Sequence, residues 1–240
     1  MCTLTYYPAG EDDLWITSNR DEGLLRKEAT LPQLRTRENG EKVIMPVDQE
    51  AHGTWIAVSL AQRRVQVLLN GAFVAHEHRP PYRRSRGLVL LDALDFTRLE
   101  AMAAGYDFTA IEPFTLVAMH QQPRSVEELR WDGESTHYTT KRPEQPHVWS
   151  AAMLYPPEVQ RATEDRFASL EQGRVSPEDL LQFHAAEHYD TKMERQGRQP
   201  HAEVRTLSTS QIQLRPKQLY YRYFDLRHQV QVSLEAPWSA

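Results

Sequence analysis

Cysteine is almost missing from this chain: its 240 residues hold one, Cys2. No disulfide can form within the chain, which suits a reducing compartment. Also missing is any apolar run approaching the roughly 20 residues that span a bilayer. The N-terminus has neither the charged nor the apolar region of a signal peptide, so a soluble, cytoplasmic protein without a membrane span is expected. No charge sign dominates. With 28 Lys and Arg against 33 Asp and Glu, the net charge is −5 and well mixed, which removes the electrostatic footprint of a nucleic-acid binder. Internal repeats and low-complexity linkers are absent as well. What is present is a core: 40% hydrophobic residues, with five Trp, ten Tyr and seven Phe. That composition belongs to a folded globular protein, read here as one domain over residues 1–240.

The pattern of elements is strands, helices, strands, helices, strands. Residues 2–7 and 14–19 are rich in β-formers and flank a turn at Pro8–Asp13, which predicts a hairpin. A second hairpin is expected from 54–60 and 64–70. Apolar residues at helical spacing between Ser85 and Ala104 predict one or two helices. Strand character returns at 114–120 and 128–131. Two helices follow, one over 157–170 and one starting at Ser176, where Pro177 takes the first helical position and Asp179 lies three residues beyond the cap. Strands resume over 203–214 and 218–234. Helices grouped in runs against antiparallel strands indicate an α+β domain, not a parallel doubly wound one.

Cys2 follows the initiator Met1. A small residue in that place favours removal of the methionine, leaving a cysteine that carries both a thiol and a free α-amino group. With a reference pKa of about 7.7–8.0 the amine is partly neutral at cellular pH and can take the thiol proton. Nucleophile and base then belong to one residue, the logic of N-terminal threonine nucleophiles. If the strand 14–19 folds back antiparallel on the first, the quartet Asn19-Arg20-Asp21-Glu22 ends near the N-terminus. Asp21 is then in position to hold the amino group, and Arg20 or Asn19 to orient the thiol or a substrate. A nearby guanidinium also favours the thiolate.

Five segments in order, Met1-Cys2-Thr3-Leu4, Asn19-Arg20-Asp21-Glu22, His52-Gly53-Thr54-Trp55, Asn70 at a strand end, and Ser85-Arg86-Gly87, resemble the NRDE family, also called the transport and Golgi organisation 2 family. The resemblance is tight over residues 1–90 and diffuse beyond. His52 departs from it, since the family's usual pattern there is Gly-Gly-Thr-Trp. The family is similar to N-terminal nucleophile hydrolases, the superfamily of penicillin V acylase and bile salt hydrolase. The resemblance implies a four-layer αββα sandwich of two antiparallel sheets between helical layers. It implies a nucleophilic Cys2, with Asp21 near its amino group and Asn70 as oxyanion-hole donor, acting on a linear amide without metal or organic cofactor. The acylases place a second asparagine after the midpoint, where this chain has Ser150, a shorter donor. Arg205 matches an arginine that acylases hold near the nucleophile.

Other features point elsewhere. Arg83 and Arg84 before Ser85-Arg86 form a basic lip suited to an anionic substrate group, and Trp55 and Trp149 are candidates to line an apolar pocket. His184-Ala185-Ala186-Glu187-His188 matches the H-x-x-E-H pattern of inverted zinc peptidases. A zinc site would need a third ligand, such as His201, Glu203 or the His76-Glu77-His78 group. The partner expected is a small-molecule substrate. The alternative is a non-catalytic protein of the same fold that binds or carries a hydrophobic ligand, haem or an acyl-CoA or lipid, as roles proposed for the family imply.

Overall fold

The structure, a computed structural model, describes residues 3–10, 13–170, 175–186 and 204–238. Cys2 lies outside the described residues, as do Glu187, His188, His201 and Glu203. A six-stranded antiparallel sheet has the order β10-β1-β2-β11-β12-β13: His147–Ser150, Thr3–Pro8, Leu14–Gly23, Val204–Leu214, Gln218–Asp225 and Val230–Pro237. A seven-stranded antiparallel sheet runs β3 to β9 in sequence order: Gln33–Thr36, Lys42–Met45, Ile56–Ser59, Arg64–Asn70, Phe114–Gln121, Arg124–Trp131 and Thr136–Lys141. Four helices complete the described elements: α1 (Arg86–Ala93), α2 (Leu99–Gly105), α3 (Pro157–Leu170) and α4 (Pro177–Ala186).

Period-two alternation sorts the strands into layers. Val65, Val67 and Leu69 of β6 join Leu4, Tyr6 and Ile16 of the other sheet in the central core. Leu68, on the opposite face of β6, packs with Val89, Leu90 and Ala93 of α1 and with Leu99 and Met102 of α2. Phe167 of α3 and Leu180 and Phe183 of α4 form the third cluster, against Tyr7, Trp15 and Val148 of the first sheet. Helix, sheet, sheet, helix is therefore the layering, the α+β sandwich expected. Among the described residues no helix is long and apolar enough to cross a membrane.

The two predicted hairpins form, Leu4 pairing with Ser18 and Val67 with Ile56. The short strands β3, β4, β9 and β10 had no counterpart in the sequence reading, and β8 begins at Arg124, ahead of the 128 expected. The stretch 218–234 is two strands, turned back at Gln229 with φ 56°. β2 extends beyond the expected residue 19, through the Asn19–Glu22 quartet to Gly23, held by β11, whose Thr206 and Ser208 pair with Asp21 and Arg20 across a bulge.

Candidate active site

Because β2 continues past Ser18, alternation sends the quartet's side chains to opposite faces. Asn19 is fully buried toward the helical layer; its Nδ2 donates to the carbonyl of His184 at 2.9 Å and its Oδ1 accepts from Thr209 Oγ1 at 2.9 Å. Both ends of Asn19 are thus spent tying α4 and β11 to β2. Asp21, 3% exposed, accepts from the Tyr155 hydroxyl at 2.7 Å and from Thr206 Oγ1 at 2.5 Å. Neither Tyr155 nor Thr206 carried a sequence signal, because each acquires its meaning only when strands distant in the chain are paired.

Arg20 points the other way, into the end of the sandwich. Its guanidinium lies 4.5 Å from the centre of the Trp55 ring and donates through Nη2 to Asp48 Oδ2 at 3.0 Å. Asp48 also accepts from Arg26 Nε at 2.9 Å and, through Oδ1, from the amides of Glu50 and Ala51. Burial alone would raise the Asp48 carboxyl, but Arg26 and those amides outweigh it and hold the group below its ordinary value. Glu22 behaves alike: burial pushes up, and positive charge that includes Arg26 and Arg20, with the Gly23 N–H, brings it down. Both carboxylates are therefore charged at neutral pH.

These groups form one wall of a cavity of about 380 Å³. The floor includes Trp55, Leu68 and Asn70. The far wall comes from the segment after β6 and the start of α1, with His78, Tyr82, Arg84, Arg86 and Glu112. Arg86 pairs with Glu112 Oε2 at 3.1 Å and donates to the Pro113 carbonyl at 3.2 Å. His78 Nδ1 and His76 Nε2 reach the other oxygen of Glu112 at 3.1 and 3.3 Å. Arg84 is held by Asp92 at 2.5 Å. The basic lip read from the sequence is thus a wall of ion pairs. Asn70 ends β6 as expected; its carbonyl accepts from the Met153 amide at 3.2 Å, while its carboxamide has no hydrogen-bond partner among the described residues.

Two motif glycines set how close the walls approach. A Cβ on Gly53 would meet the carbonyl carbon of Gly87 at 2.4 Å, and one on Gly87 would meet Thr54 O at 3.0 Å. The His52–Trp55 loop therefore rests directly on the first turn of α1, joined by the Thr54 amide to Gly87 O at 3.2 Å. His52, the departure from Gly-Gly-Thr-Trp, has φ 56°, the left-handed region in which glycine is unstrained.

Of the residues singled out from sequence, Arg20, Trp55, Asn70 and Arg86 meet at this cavity. Asp21 lies on the opposite face of β2. Ser150 pairs with Thr3 at the start of β1, and Arg205 pairs with Glu22 on β11 but is exposed; neither lines the cavity. Trp149 packs in the central core with its indole N–H on Glu128 at 2.6 Å. The described part of the histidine motif is structural: His184 is fully buried, its Nε2 2.9 Å from Thr5 Oγ1.

A profile of a family described as transport and Golgi organisation 2 matches residues 1–228. No curated protein matches the chain by sequence. Among solved structures, a variant of conjugated bile acid hydrolase from Clostridium perfringens superposes with a TM-score of 0.60 at 9% identity, covering 98% of this chain and 92% of that one. An N-acylethanolamine-hydrolyzing acid amidase orthologue from Caenorhabditis elegans superposes at 0.56 with 11% identity, covering 88% and 92%. At such identities the likeness is one of fold.

Proposed function

The chain belongs to the transport and Golgi organisation 2 family, and on that footing we propose that it is an N-terminal cysteine-nucleophile hydrolase cleaving the C–N bond of a linear amide. The observation that carries this reading is the convergence of Arg20, Trp55 and the Asn70 carboxamide on one cavity at the end of β2. Leu4 pairs with Ser18; Cys2 is two residues before Leu4 in sequence, as Arg20 is two after Ser18. The fold it shares with two hydrolases supports the same reading.

In this mechanism the Cys2 thiol gives its proton to the residue's own α-amino group, freed by loss of Met1, and Sγ adds to the substrate carbonyl. Asn70 donates to the oxygen that becomes negative, where a preorganised donor is worth most. Collapse passes the proton to the departing amine and leaves a thioester. Water then adds, its proton taken by the amino group, and the acid is released as the thiol re-forms. Asp21, its oxygens fixed by Tyr155 and Thr206, holds the α-ammonium. Arg20 favours the thiolate by opposite charge. A reducing, cytoplasmic setting keeps the thiol free.

Intact mass of the untagged protein before and after brief alkylation at neutral pH tests the premise. The expected result is loss of Met1 and rapid single labelling, followed by amide turnover that Cys2→Ala abolishes while substrate binding persists. Retained Met1, or a thiol that labels only after denaturation, refutes the mechanism.

A further inference from the structure

The charge pattern of the cavity names the kind of amide it takes, an inference that rests on the hydrolase reading for the chemistry but not for the binding. Pockets for apolar ligands are lined predominantly by hydrophobic and aromatic side chains. This one presents Arg20, Glu22, Arg26 and Asp48 on one wall and Arg84, Arg86 and Glu112 on the other. An alkyl chain or a fused ring system laid between them would strip water from these ions and return no polar contact. The volume of about 380 Å³ sits at the small end of the roughly 300–1,000 Å³ range of ligand sites. Most of the wall charges are already matched: Arg26 with Asp48, Arg84 with Asp92, Arg86 with Glu112. Arg20 is matched only in part, because it shares Asp48 Oδ2 with Arg26. It is 5% exposed, stacked on Trp55, and Asp48 accepts from only its Nη2; its other N–H donors have no acceptor among the described residues. A buried guanidinium beside a polar cavity, with donors that meet no acceptor among the described residues, suits an anionic, planar acceptor.

We propose that the cavity selects a short hydrophilic amide of amino-acid size bearing a carboxylate, and that Arg20 anchors that carboxylate. The test uses the full-length protein after Met1 removal has been verified by mass. N-acetyl amino acids, their methyl esters and a long-chain N-acylethanolamine are compared for binding by calorimetry and for turnover by release of the amine. The expected result is a kcat/KM for the free acid about tenfold to a hundredfold above that of its ester, as loss of a charge-assisted contact predicts. The long-chain compound should be the poorest of the three. Arg20→Gln should slow both substrates by whatever its charge contributes to the thiolate, and should erase the acid–ester difference through an additional loss confined to the free acid and seen mainly in KM. Because Arg20 also supports Asp48, the acid–ester comparison on the unaltered protein stands by itself should the variant fold poorly. Preference for the long-chain amide overturns the substrate class and leaves the hydrolase reading in place. Saturable, carboxylate-dependent binding without turnover of any amide supports the substrate-class inference and refutes the hydrolase. Binding of haemin or palmitoyl-CoA with no binding of the acids refutes both.

Discussion

Gly53→Ala isolates the contact on which the cavity's geometry depends. The added methyl would lie 2.4 Å from the carbonyl carbon of Gly87 and 2.7 Å from both Gly87 Cα and the Leu88 amide nitrogen. Ordinary carbon contacts begin near 3.4 Å, and every atom it meets is backbone, so no side chain can swing aside. Relief requires the His52–Trp55 loop and the first turn of α1 to part by about 1 Å. That movement breaks the hydrogen bond from the Thr54 amide to Gly87 O and disturbs the packing of Val89, Leu90 and Ala93 beneath the helix. Overpacking of this kind costs about 1–3 kcal/mol and the lost hydrogen bond about 1 kcal/mol. We therefore expect a destabilisation of about 2–4 kcal/mol, read from the midpoint of urea unfolding at constant m. Gly105→Ala is the control: Gly105 ends α2, and nothing lies within 4 Å of the place its added methyl would take, so the change should be neutral or stabilising by up to about 1 kcal/mol. A Gly53→Ala protein within about 0.5 kcal/mol of the parent would refute the close-approach reading of both motif glycines.

Arg64→Leu should cost about 2–4 kcal/mol in the same assay, since the fully buried Arg64 donates to the carbonyls of Ala93, Leu94, Phe96 and Thr97 at and beyond the end of α1; Ala93 and Leu94 keep donors from Gln66 and Gln62, but Phe96 and Thr97 lose the Arg64 guanidinium. Asn70→Ala should lower kcat by about a hundredfold to a thousandfold with far less change in KM, as removal of an oxyanion donor does; an unchanged kcat removes Asn70 from the mechanism. Acid should weaken the fold through His120. Burial lowers its pKa despite the hydrogen bond to Glu127, so the unfolded chain takes up the proton first as pH falls. Its contribution is complete above about pH 6.5 and lost as pH drops toward the lower folded value. His120→Gln should flatten stability between pH 7.5 and 5.5 without abolishing the slope, because burial lowers His147 in the same direction; an unaltered slope would exclude His120 as a source.

What could be read from the sequence and what could not divide along a physical line. Alternation such as Val65-Gln66-Val67 and apolar spacing through α1 are local signals, and they suffice for the hairpins, the helices and the layer class. β3, β4 and β10 are four residues each, too short for alternation to register, and they exist because a neighbouring strand supplies their hydrogen bonds. In the site, Arg20, Trp55, Asn70 and Arg86 were legible because each sits in a motif whose pieces are contiguous. Asp48, Glu112, Tyr155 and Thr206 were not: Asp48 is one carboxylate in an ordinary loop until Arg20 and Arg26 close on it. Asn19 shows the limit from the other side. It belongs to the same tetrapeptide as Arg20, yet the pleat turns it away, and its amide is consumed by His184 and Thr209. A strand motif therefore identifies a pair of faces, not a site. Arg20 and Glu22 look into the cavity, while Asn19 is tied to α4 and Asp21 to Tyr155 and Thr206, and this division separates groups that can touch a substrate from groups that act only by fixing the strand or the chain beside it. Asp21→Asn should accordingly alter turnover of every amide alike, whereas changes at Arg20 should depend on which amide is offered. Rate profiles across the acid and ester series measure that contrast directly, and substrate-dependent losses at Asp21 would refute the division.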